Sequence, residues 1–589
     1  MQALISLYRN RLAREKGAVK KDWGGRLAVA LAYPNHYRVG MSNLGFQVVY
    51  HLLNRRDDVA AERVFLPEGR EMSLYLQSGR PLLSLETQRP LEAFHIIAFS
   101  ISFETDYLHV LKILEMGRIP LLAKERDETH PLVMAGGVTT FLNPEPLAPF
   151  MDLFLLGEAE GQLDAFVERI RDAGHRSRES LLMETALGLE SVYVPALYRP
   201  RYLKDGTPGG MDPLDSRLPP KIKAPRFQSL DAMVSRSLVT GPDMEFGDRI
   251  LVEVGRGCGR SCRFCAAGYV YRPPRSRSPE VLKKTVQEAI SSCGRVGLMG
   301  AAVSDVPGIL QITRLVVDAG AGFSISSLRA DTLDDELVAH LDRAGQKSIA
   351  LAPEAGTERL RRVINKHLTE EQIAKAVQTV ARRGAFNLKL YFLLGLPTET
   401  MQDVEGIVKL VKKIRHHMVK ASARRGTMGR IRLSVNCFVP KPFTPFQWFP
   451  LEEVSSLKSK QKWLKKAVET LGGVNVSLDV PKWAYVQALL SMGDRRVAPI
   501  LLNAHRLNGN WKTALRASET NPDFFVYRPR ELDEILPWDF IDHGIDKSHL
   551  MREYGLALRG TESEPCRVGE CKRCGVCPDP GGVQGGVSR

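Results

Sequence analysis

Along residues 26–161, apolar runs of strand length recur between helix-length stretches: RLAVALAYP (26–34), RVFLP (63–67), FHIIAFSIS (94–102), PLVMAGG (131–137) and DLFLLGE (152–158). Runs that are apolar on both faces, with helices between them, predict a doubly wound parallel sheet. Gly136, Gly137 and Gly157 fall just after strands. That is the carboxyl edge where such sheets bind ligands, and where glycine lets a backbone approach a cofactor. Ahead of the sheet, MQALISLYRNRLAREKGAVKK has too short an apolar segment for a signal peptide and turns basic at once. It predicts a charged amphipathic helix at the start of a cytoplasmic protein.

A first domain is therefore expected over 1–194. Residues 195–248 are rich in Pro and Gly, which predicts a linker with short strands. From 249 a second strand–helix series begins, with strands expected at 249–255, 296–302, 323–328, 348–354, 386–395 and 432–440. Six βα units over 249–450 fit an open, partial (β/α)6 barrel, with its chemistry at the carboxyl ends of the strands. Residues 451–560 read as mostly helical, and 561–589 as a Cys-rich tail whose final GGVQGGVSR is expected to be disordered. No internal repeat is evident.

Composition adds limits rather than identity. The chain has 589 residues, 44% of them hydrophobic and 25% charged, an ordinary globular balance with material for several cores. No stretch approaches the roughly 20 uninterrupted apolar residues of a membrane span. The nine cysteines are too sparse for a disulfide scaffold. None precedes Cys258; three sit at 258–265 and four at 566–577, while Cys293 and Cys437 stand alone and are expected in the core. Two tight clusters predict metal ligation in a reducing compartment.

The segment GRGCGRSCRFCAAG spaces Cys258, Cys262 and Cys265 as Cys-x3-Cys-x2-Cys directly after an expected barrel strand. So short a loop wraps three thiolates around one corner of a 4Fe–4S cube and leaves one iron without a protein ligand. Gly255, Gly257 and Gly259 permit the turns, and Phe264 is placed to shield the cluster. The rival is an incomplete zinc knuckle, but the next Cys or His is Cys293, 28 residues after Cys265 and far outside knuckle spacing.

This spacing at this place in a partial βα barrel resembles the radical S-adenosylmethionine (SAM) superfamily. The resemblance implies that the open iron chelates the methionine amine and carboxylate of SAM. It also implies that one electron then cleaves SAM to methionine and a 5′-deoxyadenosyl radical, which takes hydrogen from a substrate. It places Met299, Gly300 and Ala301 (in GLMGAA) against the SAM amino group, though the acidic residue often found there is lacking. Ser326, Arg329 and Glu354 are implied at the SAM ribose or carboxylate, and Gly395 beside adenine. For each of these the plainer reading is a strand-end turn or a surface ion pair.

A flavodoxin-like sheet ahead of such a barrel is similar to the cobalamin-binding subgroup, and YPNHYRVGMSNLGFQ (33–47), Gly136-Gly137 and GEAEG (157–161) are similar to an uncharacterised bacterial family of this length. The Asp-x-His-x-x-Gly cobalt-ligand motif is absent. His36 with Gly40 is a loose echo of it, and an ordinary loop histidine is the simpler reading. Cobalamin bound without a protein ligand, or a domain that keeps only the fold, both remain open. Methylthiotransferases resemble the barrel too, but carry a second cluster on three N-terminal cysteines, and this chain has none before 258.

Cys566, Cys571, Cys574 and Cys577 form a complete ligand set for a second iron–sulfur cluster or for zinc. The net charge is +15, and residues 409–432 carry Lys409, Lys412, Lys413, Arg415, Lys420, Arg424, Arg425, Arg430 and Arg432 with no acidic residue. SLKSKQKWLKKA (456–467) adds five lysines and a tryptophan. Such density attracts phosphate, against the alternative of a solvated helix face. Because the first run leads into the sixth barrel strand, it is expected near the barrel mouth, with the aromatics of KPFTPFQW (441–448) either close by or simply packing a barrel lid. The expectation is a cobalamin-type radical SAM enzyme that modifies an unreactive carbon, by methylation, on RNA. It would be served by an electron donor such as a flavodoxin or ferredoxin, with no DNA or membrane partner. The alternatives are cobalamin-independent radical chemistry and an iron–sulfur RNA-binding or redox-sensing protein.

Overall fold

The computed structural model describes residues 2–172, 177–233, 235–423 and 425–577. The closing GGVQGGVSR and Arg424 lie outside them. The leading helix, Gln2–Ala13, buries Leu4 and Tyr8 and leaves its charged side to solvent.

Six strands form the first sheet: β1 (Leu27–Tyr33), β2 (Val59–Phe65), β3 (Ile96–Ser100), β4 (Leu132–Gly136), β5 (Leu153–Leu155) and β6 (Val192–Tyr193). Their order is β2-β1-β3-β4-β5-β6, parallel except for β6. This is the flavodoxin-like winding, with its switch point between β1 and β3. β2 starts four residues earlier than RVFLP suggests, because it carries charge inside. Arg63 is wholly buried and donates to Glu86 Oε1 at 2.6 Å and Glu15 Oε2 at 2.6 Å, so a buried strand reads as polar.

The 195–248 stretch supplies the hairpin β7 (Tyr198–Tyr202) and β8 (Pro208–Pro213), then β9 (Ile222–Lys223). Next come β10 (Ile250–Glu253), β11 (Gly255–Arg256), β12 (Arg275–Ser276), β13 (Arg295–Met299), β14 (Gly322–Ile325), β15 (Ser348–Glu354), β16 (Asn387–Leu394) and β17 (Ile431–Cys437). β10-β13-β14 form one parallel sheet and β15-β16-β17 a second, and a parallel bridge from Leu328 to Leu351 joins them into an open barrel. Helices between the strands begin at sequence-encoded caps: Ser278 accepts from Val281 N ahead of Pro279–Cys293, and Thr369 with Gln372 makes a capping box ahead of Glu370–Arg383.

The 451–560 region is helical as expected, with two exceptions. β18 (Val474–Leu478) pairs parallel with β17 as a seventh barrel strand, and β19 (Ile541–Asp542) pairs with β9. β18 escapes the pattern because none of its residues is fully buried. Among the described residues, no helix is long and apolar enough to cross a membrane.

Candidate active site

β11 and β12 pair antiparallel and close the base of the loop that carries Cys258, Cys262 and Cys265. Two left-handed residues shape it: Gly257 (φ +79°), whose missing Cβ makes room for Tyr271 O, and Ser261 (φ +60°). The three thiols lie within electrostatic reach of one another. The backbone N–H of Arg260 donates towards the Cys258 sulfur, and those of Gly268 and Ala267 towards Cys265. Burial, aided by the neighbouring thiols, raises Cys258 and pushes Cys265 up to about 12. A metal must therefore displace their protons as it binds. Among the described residues, no three His, Cys, Asp or Glu groups stand at the spacing of a lone ion. A half-buried loop whose three thiols lie within electrostatic reach of one another, two of them with main-chain donors aimed at the sulfur, fits the larger iron–sulfur cube. Phe264 packs into the barrel end against Ala355, Leu360, Leu396 and Phe438.

The loop is clamped from below. Arg263, fully buried, donates to Glu553 Oε2 at 3.1 Å and to the carbonyls of Arg362, Val363 and Thr561. Beside it stands a charged wall that the sequence pattern only partly exposed. Arg329 forks onto Asp331 at 2.9 and 3.0 Å and also reaches Lys366 O. Asp331 in turn accepts from Arg260 of the cysteine loop. Glu354 ends β15 with φ +64° and accepts from Lys366 Nζ at 3.1 Å. A non-glycine residue held there stores strain of about 1–3 kcal/mol, a mark of a functional site. Burial works against the charge on Lys366, but Glu354 and the nearby Cys262 outweigh it and raise its pKa. Lys366 was not singled out from sequence because it lies on a turn that carries no motif; Arg260 lies inside the cysteine motif and Asp331 two residues after Arg329, and only their mutual contact marks them. Ser326 is exposed. Gly395 (φ +82°) ends β16, its N–H donating to Glu399 at 2.6 Å; Glu399 shares Lys460 with Glu452.

At the carboxyl edge of the first sheet lies a cavity of about 450 Å³ facing the barrel. Its deep part is apolar, built by Val29, Leu31, Val48, Ala98, Phe99 and Phe166, with Asn43, Ser100 and Ser102 as polar groups. Gly136, Gly137 and Gly157 line it, and on the barrel side it reaches Gly255, Gly257, Tyr271, Met299, Gly300 and Ala301. The glycines expected to admit a cofactor are required for a further reason. A Cβ on Gly137 (φ +107°) would collide with the Ile101 backbone, and one on Gly157 (φ +87°) with Pro225. Among the described residues, no histidine lines the cavity. His36 instead bonds Leu66 O and faces Glu68.

The cavity and the cysteine loop are joined by a buried ion network. Glu158 accepts from Arg256 at 2.8 Å and from Arg275 at 2.7 and 3.0 Å, and Arg256 also holds Glu160 and Glu253. GEAEG from the first domain thus grips the strand that leads into Gly257-Cys258.

Two expectations are corrected. The 409–432 run does not lie at the barrel mouth. It occupies the helix Met401–Ser422 and the segment entering the amino end of β17, where Arg430 N bonds Asn387 at the start of β16. Cys293 is exposed, at the end of its helix, rather than in the core; Cys437 is buried as expected. The 441–448 aromatics follow the packing alternative, with Phe446 and Trp448 fully buried. In the second basic run Lys460 points inward, while Lys458, Lys462, Trp463, Lys465 and Lys466 are exposed.

Residues 252–411 match the model of the radical SAM superfamily, and 45–195 that of the N-terminal region of radical SAM proteins. The chain is a radical SAM enzyme, and the superfamily's chemistry brings a 4Fe–4S cluster and SAM. An uncharacterized protein of Methanocaldococcus jannaschii is 30% identical over 476 residues, covering 80% of this chain and 90% of that one, and the chain belongs to its family within the superfamily. A tRNA-2-methylthio-N(6)-dimethylallyladenosine synthase of Caldicellulosiruptor saccharolyticus is 26% identical over 197 residues, which is 31% of this chain and 42% of the synthase; less than half of that relative is matched. Among solved structures, the methyltransferase TsrM from Kitasatospora setae with cobalamin and a [4Fe–4S] cluster bound is 12% identical, covers 70% of this chain and 75% of its own, and has a TM-score of 0.46. OxsB with aqua-cobalamin bound is 12% identical over 91% of this chain and 80% of its own, at 0.46.

Proposed function

We propose that this chain is a cobalamin-dependent radical SAM enzyme that methylates an unreactive carbon on RNA. The observation that carries the reading is the cavity. An apolar slot at the carboxyl edge of a flavodoxin-like sheet opens directly onto Met299-Gly300-Ala301 and onto the glycine next to Cys258. The slot suits the apolar base of a corrin, with Asn43, Ser100 and Ser102 for its polar groups and without a histidine on the metal. When bound, the cluster supplies the electron that opens SAM and the corrin carries the methyl group.

The chain's own residues do the rest. Cys258, Cys262 and Cys265 hold the cluster. Gly300 and Met299 lie against the SAM amine. Arg329, Lys366 and Glu354 form the charged wall for its carboxylate and ribose, with Gly395 at the adenine. Ser326 is exposed and is left outside this set. Support for RNA comes from the exposed Trp463 and lysines of the helix Val454–Glu469, from Lys482 and Trp483 on the next helix, and from the partial likeness to a tRNA-modifying enzyme.

The test uses anaerobically reconstituted protein with titanium(III) citrate. It should form 5′-deoxyadenosine from SAM, and Cys262→Ala should not. Protein loaded with hydroxocobalamin should keep its corrin spectrum after desalting, and Ala98→Phe, which fills the slot, should lose it while keeping its iron. Failure of the wild-type protein to retain corrin would remove cobalamin from the reading and leave radical chemistry without it; equal retention by both would place the corrin outside the slot.

A further inference from the structure

The tail is part of the active-site architecture rather than an appendage. Thr561 O accepts from Arg263; Ser563 N donates to Asn365 Oδ1 at 2.9 Å, and Glu562 accepts from His367 N at 3.0 Å. Farther along, Cys574 is 4% exposed and its carbonyl accepts from Asp546 N at 3.0 Å. Within this docked segment the Cys566 thiol lies in electrostatic reach of Cys571, Cys574 and Cys577, and Arg573 Nε donates to Cys571 Sγ at 3.1 Å.

The two cysteine sets also touch. Cys566 N donates to Gly259 O at 2.7 Å, and Gly259 is the residue that follows Cys258. A Cβ built on Gly259 would lie 3.6 Å from Cys566 Cβ, so the Cys258 and Cys566 backbones are within about 9 Å of each other. One peptide unit and one hydrogen bond connect a ligand of one set to a ligand of the other. Arg272 makes a second link, donating to Ser261 Oγ at 2.7 Å and bonding the Cys574 sulfur. The tail set reaches outward as well: Cys574 is buried, whereas Cys571 and Cys577 are partly exposed.

We infer that Cys566, Cys571, Cys574 and Cys577 hold an iron–sulfur cluster that takes single electrons from an external carrier at its exposed side and passes them across the Gly259–Cys566 contact to the cluster on the barrel loop. One electron moves at a time. The tail cluster is oxidised as the loop cluster is reduced, no bond forms or breaks, and the reductant is a low-potential one-electron carrier of flavodoxin or ferredoxin type. The inference rests on the reading of the loop as a reducible cluster. It adds the route by which that cluster is charged.

The test begins with the whole wild-type chain, reconstituted anaerobically. Metal analysis should give about eight iron atoms per chain, and the reduced protein should show an electron paramagnetic resonance spectrum broadened by two coupled spins. About four iron atoms with one zinc would overturn the inference outright, whatever the activity. The second arm is Cys571→Ser/Cys577→Ser, which leaves the buried Cys574 and the Cys566 contact in place. Here the measurement is the ratio of 5′-deoxyadenosine formed with reduced flavodoxin to that formed with titanium(III) citrate, which reaches the loop cluster without a docking site. The ratio should fall at least tenfold relative to wild type; an unchanged ratio would refute the relay. If wild-type protein cleaves no SAM even with titanium(III), the proposed function fails, while the iron count and the spin coupling still decide the tail.

Discussion

Glu158→Gln is the sharpest single test of how the two halves of the site are held together. The Glu158 side chain is 4% exposed and accepts three guanidinium hydrogen bonds, two of them from Arg275, plus the N–H of Phe227 at 3.0 Å. Arg256 keeps Glu253 and Glu160 when Glu158 is neutralised, so it is not stranded. Arg275 is left with the carbonyls of Phe227, Tyr271 and Pro273 and no carboxylate. Removing one partner of a buried pair costs about 3–5 kcal/mol, and at about 1.4 kcal/mol per tenfold this is two to three and a half powers of ten. Unfolding of so large a chain is not two-state, so a global midpoint would blur the effect. Native-state hydrogen exchange reads it locally. Peptides spanning 225–228 and 255–260 should exchange faster by that factor, and those from the core of the first sheet should not. Glu160→Gln should cost only about 1 kcal/mol, since the Arg256 nitrogen it releases still holds Glu253 at 2.9 Å. A change below about 1 kcal/mol for Glu158→Gln, or equal effects of the two variants, would refute the argument.

Burial pushes the Glu399 carboxyl up to about 7 against the pull of Lys460. Lys460 is itself raised despite its burial, because two carboxylates share it; Glu399, the less exposed of them, takes the proton. A carboxyl whose folded pKa lies above its unfolded value stabilises the fold most below about 4.5, and that contribution, about 3 kcal/mol, is lost as pH rises through about 7. Native-state exchange of peptides spanning 394–400 and 457–461, corrected for the intrinsic rate, should therefore show protection falling between pH 5 and pH 8 in wild type and falling less in Glu399→Gln; parallel curves would contradict this. Arg263→Lys should release iron on desalting, since an ammonium cannot span Glu553 and three carbonyls as the guanidinium fork does; undiminished iron content would show that the clamp is dispensable. For RNA, replacing Lys462, Lys465 and Lys466 with glutamine should remove about three phosphate contacts and lower the salt dependence of binding accordingly, whereas replacing Lys409, Lys412 and Lys420 on the neighbouring helix should leave it unchanged. The reverse result in filter binding would relocate the RNA surface.

Periodicity made both sheets legible, because their central strands are apolar on the faces they bury and glycines punctuate their ends. It failed where burial is polar. β2 carries Arg63 in the core, tolerated only because Glu15 and Glu86, distant in sequence, converge on it. It also failed at β18, an edge strand without a fully buried residue. The cysteine motif was legible because spacing alone defines it. Lys366 and Asp331 were not, since each acquires meaning only from a neighbour on another turn. The cavity belongs to no segment at all: its apolar wall comes from the first sheet and its floor from the barrel.

The misplaced basic run shows how chain order misleads about space in a parallel barrel. A segment that precedes a strand delivers its residues to that strand's amino end, and the chemistry of a βα barrel lies at the opposite end. The cysteine loop, Met299, Glu354 and Gly395 all close or follow strands and are gathered at one rim; the helix Met401–Ser422 leaves that rim after β16, and its basic residues, from Lys409 on, lie along its way to the amino end of β17. The helix Val454–Glu469 follows β17, so its first turns start from the rim that the chemistry shares. Both basic helices leave that rim and run on to the amino end of the next strand, β17 for the first and β18 for the second; the second run begins nearer the rim, Lys458 lying about one turn into its helix and Lys409 about two turns into its own.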